Sequence, residues 1–443
     1  MKNTVNENKK KNYLVRAVGA IGIALVALNS TIGSGIFTLP SIVIEQAGAA
    51  SPWLFLIVGI SIITIVLTFG QLASYFKDSG GPVLYTKTAF GPAVGFSTGW
   101  ILYISRATAF AANSNALAFY LGTIWPWFSG GSGRIILITG ICSLLTWINY
   151  TGIKDGVKML IFFTFIKLTP ILLVILLGLQ YIPSDFISNA SFPPVDGLGP
   201  TVLIIIYAYV GFEGATFISG ETKNPQSSLP SAMVRTSLFV CLFYFMIMVV
   251  YVSVVPETST SIGALVALGE TLLGPTGLIM MTLAAVFSIG GNLGAIMLAV
   301  PRLTLALAEQ NLLPKWFGVI HKDYATPGNS ILFLGAISLG FALSGSFVYL
   351  VIASSLTRLL AYIISIAALP IIKKKASKKI QADAYKLIGG YTIPIIAFVI
   401  CLWITAQSNL DAWVLTISLL AFGLILYGIA RKALNKNTQE TNI

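Results

Sequence analysis

The stretch Asn29-Ser30-Thr31-Ile32-Gly33-Ser34-Gly35-Ile36-Phe37-Thr38-Leu39-Pro40 lies inside an apolar run from Ala17 to Ile44. That run is long enough to cross a bilayer core, which takes about 20 apolar residues. Its centre makes a poor α-helix. Ser30, Thr31, Gly33, Ser34 and Gly35 are weak formers, and each glycine costs about 1 kcal/mol relative to alanine. The bilayer core has no water to satisfy loose N–H and C=O groups, so broken backbone there must face protein or a polar cavity. A break exposes carbonyls at the end of one half-helix and amides at the start of the next. Amides at a helix N-terminus suit a carboxylate, and free carbonyls suit an ammonium. An α-amino acid carries one of each. The same residues also build a tight helix contact of the small-xxx-small kind, so the stretch alone leaves both readings open.

Composition sets the class. Of the 443 residues, 56% are hydrophobic and only 9% charged, where soluble domains carry about 25% charged residues. This is the balance of an integral membrane protein. Cys142, Cys241 and Cys401 each sit alone in an apolar run, with no metal, redox or disulfide spacing. The first apolar run has no small-residue cleavage site behind it, so it reads as a membrane helix and not a removed signal.

Windows of about 20 apolar residues give twelve candidate spans: 17–47, 52–76, 92–121, 134–150, 156–180, 199–220, 236–255, 275–308, 329–344, 347–370, 391–407 and 412–431. The stretches 80–92 and 221–235 read as connectors, their Pro and Gly content marking turns. Residues 1–12 and 435–443 are polar tails.

The net charge of +12 resembles a nucleic-acid signal until its distribution is followed. Lys and Arg mark the cytoplasmic side of membrane spans. With twelve spans, Lys2, Lys9, Lys10, Lys11, Arg16, Lys77, Lys87, Lys154, Lys223, Lys315, Lys322, Lys432 and Lys436 share one side with the run 373–379. The opposite side holds Arg134 together with Glu45, Asp185, Asp196, Glu257, Glu270 and Asp411. Both termini are therefore expected in the cytoplasm, and no nucleic-acid partner is implied. The lysine run reads as an orientation signal, with an anionic-lipid site as its alternative.

The sixth span, Pro200-Thr-Val-Leu-Ile-Ile-Ile-Tyr-Ala-Tyr-Val-Gly-Phe-Glu-Gly-Ala215, repeats the pattern of the first. Gly211 and Gly214 interrupt it around Phe212 and Glu213. Two Gly-interrupted spans, each opening a block of five and running antiparallel, point to an inverted-repeat transporter with its site at the midplane. Glu213 at that depth needs a partner: unwound backbone amides, a substrate amine or a proton. Tyr207, Tyr209 and Phe212 are either packing or walls over a small ligand.

Lys154 and Lys158 open span five and share one helical face. An ammonium here could lodge among exposed carbonyls where a transporter might otherwise bind Na⁺, or both could snorkel to the surface. Arg106, Lys167 and Arg358 are further intramembrane cations, functional candidates by default whose partners the sequence does not name. No metal-ligand cluster, nucleophile elbow or H-E-x-x-H lies in the spans, so an enzyme is not expected and no cofactor or metal is implied. Nor is a charged filter ring visible.

Gly33-Ser-Gly-Ile-Phe37, Gly80-Gly-Pro…Ala89-Phe-Gly91, Tyr209-Val-Gly-Phe-Glu213, Glu221-Thr-Lys-Asn-Pro225…Leu229-Pro230 and Asn292…Arg302…Asn311-Leu-Leu-Pro314 together resemble the amino acid–polyamine–organocation superfamily. Within it, Asn149…Gly152-Ile-Lys154…Lys158…Thr164…Lys167 is most similar to the L-type amino acid transporter branch. Animal members usually have Trp-Asn where this chain has Phe212-Glu213.

The resemblance implies an all-α polytopic membrane protein of twelve helices in a bacterial cell membrane. Residues 17–180 and 199–370 would form a 5+5 inverted repeat of the LeuT kind, with helices 1 and 6 broken. Residues 391–431 would add two peripheral helices, between cytoplasmic tails 1–16 and 432–443. It further implies sodium-independent exchange of small neutral L-amino acids such as alanine, serine and cysteine, by alternating access. The substrate carboxylate would meet amides around Gly33, Ser34 and Gly35. Its ammonium would meet carbonyls near Thr31, Ile32, Tyr207 and Val210, with Ala208 and Tyr209 as further substrate-binding candidates. Phe212 would be a gate or wall, and Lys154 would take the place of a sodium ion between spans one and five. Lys158 and Glu213 are secondary candidates. The connector 122–133 lacks the cysteine by which animal members join a glycoprotein, so no disulfide-linked partner is expected. The rival within the superfamily is a proton-coupled importer of cationic amino acids or polyamines, with Glu213 as its midplane acid.

Overall fold

The computed structural model describes residues 19–77, 80–152, 156–187, 198–255, 263–387 and 389–441. Among them the regular structure is helical, with no β-strand element. The first apolar run is two helices, α1 (Ala20–Thr31) and α2 (Gly35–Ala47). There follow α3 (Ser51–Ser74), α4 (Gly81–Phe90), α5 (Pro92–Ile124), α6 (Gly131–Thr151) and α7 (Gly156–Gly178). The second interrupted run is α8 (Leu198–Tyr209) and a 3-10 helix, Phe212–Glu221. The chain continues through α9 (Pro225–Val254), α10 (Ala264–Glu309), α11 (Gly328–Ser344) and α12 (Phe347–Lys375). It closes with α13 (Lys378–Asp383), α14 (Thr392–Ala406) and α15 (Leu410–Thr441).

Each of the twelve apolar windows falls on one of these helices or interrupted pairs. Among the described residues, eight segments are long and apolar enough to cross a membrane, while α1, α11 and α14 are apolar but shorter. Large apolar side chains stand exposed on the outer helices: Trp147 on α6 (64%), Phe165 and Leu176 on α7 (68% and 66%) and Ile425 on α15 (61%). Apolar surface this extensive is a surface for lipid, and the protein is a multi-pass membrane protein.

The two stretches read as connectors contain helix. In 80–92, α4 is bounded by Gly80 and Gly91, both with positive φ, and has Pro82 in its first turn. Proline at a helix start and glycine at its end are boundary signals as well as turn signals. In 221–235, Pro225 opens α9 in the same way.

At the centre, α1 packs on the 3-10 helix and α2 on α8, while α5, α7, α10 and α12 surround them. α14 packs on α3 and α12, and α15 on α5 and α12, at the periphery.

Candidate functional site

The first break begins where the Ile32 amide makes the last α1 bond, to Leu28 O at 2.8 Å. Helical bonding resumes with Thr38 N to Ser34 O at 3.0 Å. The first-turn amides of α2, at Gly35 and Ile36, have no carbonyl a turn earlier to bind, and the helix dipole adds positive potential there. In the second run, Val210 N bonds Ile206 O at 3.1 Å, after which Gly211 turns the chain with a φ of 124°.

The two breaks touch, and the contacts are crossed. A Cβ on Gly35, after the first break, would lie 2.8 Å from Ala208 Cα, before the second. A Cβ on Gly211, after the second break, would lie 2.1 Å from Ser30 O, before the first. Early residues of one run thus meet late residues of the other, so the two pass in opposite directions. Only glycine permits this approach, and at Gly211 only glycine readily takes the backbone angle.

Four side chains from the surrounding helices hold the first break. Asn292 on α10 donates to Asn29 O (3.2 Å) and Ser30 O (3.4 Å) at the end of α1. Asn113 on α5 donates to Asn292 Oδ1 (3.0 Å), and its own Oδ1 accepts from Ser34 N (3.2 Å). Lys167 on α7, 1% exposed, donates to Ile32 O at 3.0 Å. Ser288 on α10 donates to Ile32 O and Gly33 O, each at 3.4 Å.

Glu213, fully buried, is held by four donors. Its Oε1 lies 2.8 Å from Arg106 Nη2 and 3.5 Å from Arg358 Nε. Its Oε2 accepts from Tyr362 OH (2.6 Å) and Gly211 N (3.1 Å). The carboxylate therefore ties the second break to α5 and α12.

Between the breaks lies a cavity with a free volume of about 20 Å³, near the room of one water. Thr31, Gly33, Ser34, Gly35, Tyr207 and Val210 line it, joined by Ser30, Arg106, Ala109, Asn113, Asn292, Ile296 and Arg358. A shallow surface depression by Tyr349 and Asp411 is larger, about 470 Å³, but shares no lining residue with the cavity between the breaks.

Four proposed residues stand back from the cavity. Ile32 turns its carbonyl to Lys167 and Ser288. Ala208 is the seat of Gly35. Tyr209 donates to Phe55 O at 2.8 Å and packs on Tyr244. Phe212 is wedged between the rings of Phe69 and Tyr362, with centroids 5.5 and 5.3 Å away. Lys154 lies outside the described residues, as does the side chain of Lys158. Sequence reasoning missed Asn113, the first residue of the polar run Asn113-Ser114-Asn115 in an otherwise alanine-rich part of α5. Arg106, Lys167 and Arg358 carried the signal of intramembrane charge without partners. Among the described residues, no three His, Cys, Asp or Glu gather as a metal site would require.

Two touching helix breaks in a bundle of apolar helices define a membrane transporter. A family model described as amino acid permease matches residues 18–430, and the chain belongs to that family, within the amino acid–polyamine–organocation superfamily and related to its L-type branch. It is similar to the methylthioribose transporter of Bacillus subtilis, 24% identical over 96% of this chain and 95% of the relative. It is similar also to the serine/threonine exchanger SteT of Bacillus subtilis, 27% identical over 95% of this chain and 96% of that one. The human large neutral amino acids transporter small subunit 2 is 27% identical over 72% of this chain and 63% of its own length. As a permease it moves amino acids and is not an enzyme.

Proposed function

We propose that this chain is a sodium-independent exchanger of small neutral L-amino acids, alanine, serine and cysteine among them, working by alternating access. The fold of this reading has twelve spans, a 5+5 inverted repeat of the LeuT kind and two peripheral helices. Both termini face the cytoplasm of a bacterial cell. The observation that carries it is the crossed contact between the breaks, with first-turn amides of α2 and final carbonyls of α1 about one cavity. A zwitterion bridges these two sets of groups, carboxylate to amides and ammonium to carbonyls.

In the compact state Asn113 and Asn292 occupy part of this frame, acceptor on Ser34 N and donor on the α1 carbonyls. The pair presents the polarity of the substrate itself. It joins both halves of the broken span to α5 and α10, which restrains the empty carrier. Substrate displaces Asn113 from Ser34 and frees the central helices to rock. An empty carrier that crosses slowly and a loaded one that crosses quickly make an exchanger.

Lys167 places its amino group on a carbonyl freed by the break, where a sodium ion would otherwise be required. The resemblance gave that role to Lys154, and the Ile32 contact favours Lys167. The cationic-substrate rival loses support because Glu213, its midplane acid, already has four donors.

The test uses purified protein in sodium-free liposomes, preloaded with unlabelled alanine or left empty, with labelled alanine outside. Uptake confined to preloaded vesicles is expected, with serine competing. Uptake into empty vesicles driven by a pH gradient would overturn exchange in favour of proton symport. Competition by methylthioribose but not serine would move the substrate class to thio-sugars.

A further inference from the structure

We infer that the amino-acid cavity contains a subsite for a small monovalent anion, a halide or a carboxylate, with Arg358 as its principal ligand. The inference rests on reading this cavity as the substrate site. Its first ground is charge. Arg106 and Arg358 both line the cavity and share one carboxylate, Glu213. Two guanidiniums and one carboxylate leave one positive charge over, at the depth where charges are tolerated only in pairs. Among the described residues no acidic residue lines the cavity itself.

The second ground is an unused donor. Arg358 is 2% exposed, and its Nε is shared between Ser105 Oγ (3.0 Å) and Glu213. Its Nη2 is buried with no hydrogen-bond partner. A guanidinium nitrogen can only donate. Glu213 does not meet it, since the carboxylate approaches Arg358 through Nε, at 3.5 Å. Water would satisfy the hydrogen bond but leave the charge; an anion satisfies both. The first-turn amides of α2 face the same cavity and favour the same sign.

The free volume, about 20 Å³, suits a monatomic ion in the compact state. A carboxylate on a substrate side chain could reach Arg358 only as the cavity opens. The shared chemistry is one small negative charge, and two sources can supply it.

Labelled-alanine exchange is measured in liposomes with chloride or the bulkier isethionate on both sides at equal ionic strength. In parallel, aspartate is compared with asparagine as competitor. A halide site is expected to raise exchange at least about threefold in chloride. A substrate-carboxylate site is expected to make aspartate the stronger competitor by a similar factor. Either effect should vanish in Arg358→Gln and survive in Arg358→Lys. Alanine exchange in the wild type that is equal in both salts, with aspartate no better than asparagine, overturns the subsite whatever the variants do. If alanine does not exchange at all, the transport reading fails, and the subsite is still decided by melting temperature. Stabilisation of the purified protein by chloride or by acetate over isethionate supports it, and equal melting in all three salts overturns it.

Discussion

Lys167 Nζ donates a 3.0 Å hydrogen bond to the carbonyl of Ile32, the residue at which α1 unwinds. The ammonium comes from α7 and the carbonyl from the most interrupted part of the chain. A charge-assisted bond of this kind contributes about 1.5–3 kcal/mol. Lys167→Met is expected to lower alanine exchange at least about tenfold, since 1.4 kcal/mol corresponds to about tenfold. Replacing sodium by choline should leave the wild-type rate unchanged. A Lys167→Met protein that exchanges at the wild-type rate would remove the lysine from the mechanism.

In the proposed cycle the Asn113 amide, which accepts from Ser34 N, competes with substrate for that N–H and restrains the empty carrier. Asn113→Ala frees the amide, and a neutral hydrogen bond is worth about 0.5–1.5 kcal/mol. The expected outcome is an apparent KM for alanine lower by a few-fold, together with faster uptake into empty vesicles. A raised KM with no uptake into empty vesicles would contradict the latch.

Glu213→Gln removes the only carboxylate among the described residues that pairs with Arg106 and Arg358. Breaking a buried ion pair from one side costs about 3–5 kcal/mol. The variant should melt well below the wild type in detergent. The double variant Glu213→Gln with Arg106→Gln should recover part of that loss, because fewer charges are left unpaired. Losses that simply add would show that Glu213 and Arg106 are not coupled.

Gly211→Ala sets a Cβ against Ser30 O on a backbone with φ of 124°. Gly294→Ala on α10 meets nothing within 4 Å. The first is expected to abolish folded protein on size-exclusion chromatography. The second should be neutral or stabilise by up to about 1 kcal/mol.

Tyr207 and Tyr209 are separated by one residue but face different surroundings. Tyr207 lines the cavity, whereas Tyr209 bonds Phe55 O in the packing of α3 and α9. Tyr207→Phe should change the KM for alanine. Tyr209→Phe should lower the melting temperature, through a lost bond worth about 1 kcal/mol, and leave KM unchanged. The reverse pattern would reassign the two rings.

The amino-acid sequence by itself determined that this chain lies in a membrane, because 56% hydrophobic residues require it. It placed the two breaks, because helix propensity is local and glycine lowers it wherever it stands. It also marked Glu213, Arg106, Lys167 and Arg358 as unusual, because charge in an apolar run is visible without any neighbour. Helix α4 escaped notice because its flanking Gly and Pro read equally as a turn or as helix boundaries.

Partnership was decided only by the tertiary structure. Arg106 and Glu213 meet across 107 positions of sequence, and Lys167 and Ile32 across 135. No periodicity encodes such distances. Whether Tyr209 lines a cavity or a helix contact depends on how α3 and α9 pack, and whether Asn113 is a surface amide or a latch depends on where α10 brings Asn292. Composition and propensity act within a turn or two of helix, and the charge balance of the cavity emerges only when helices distant in the chain are packed together.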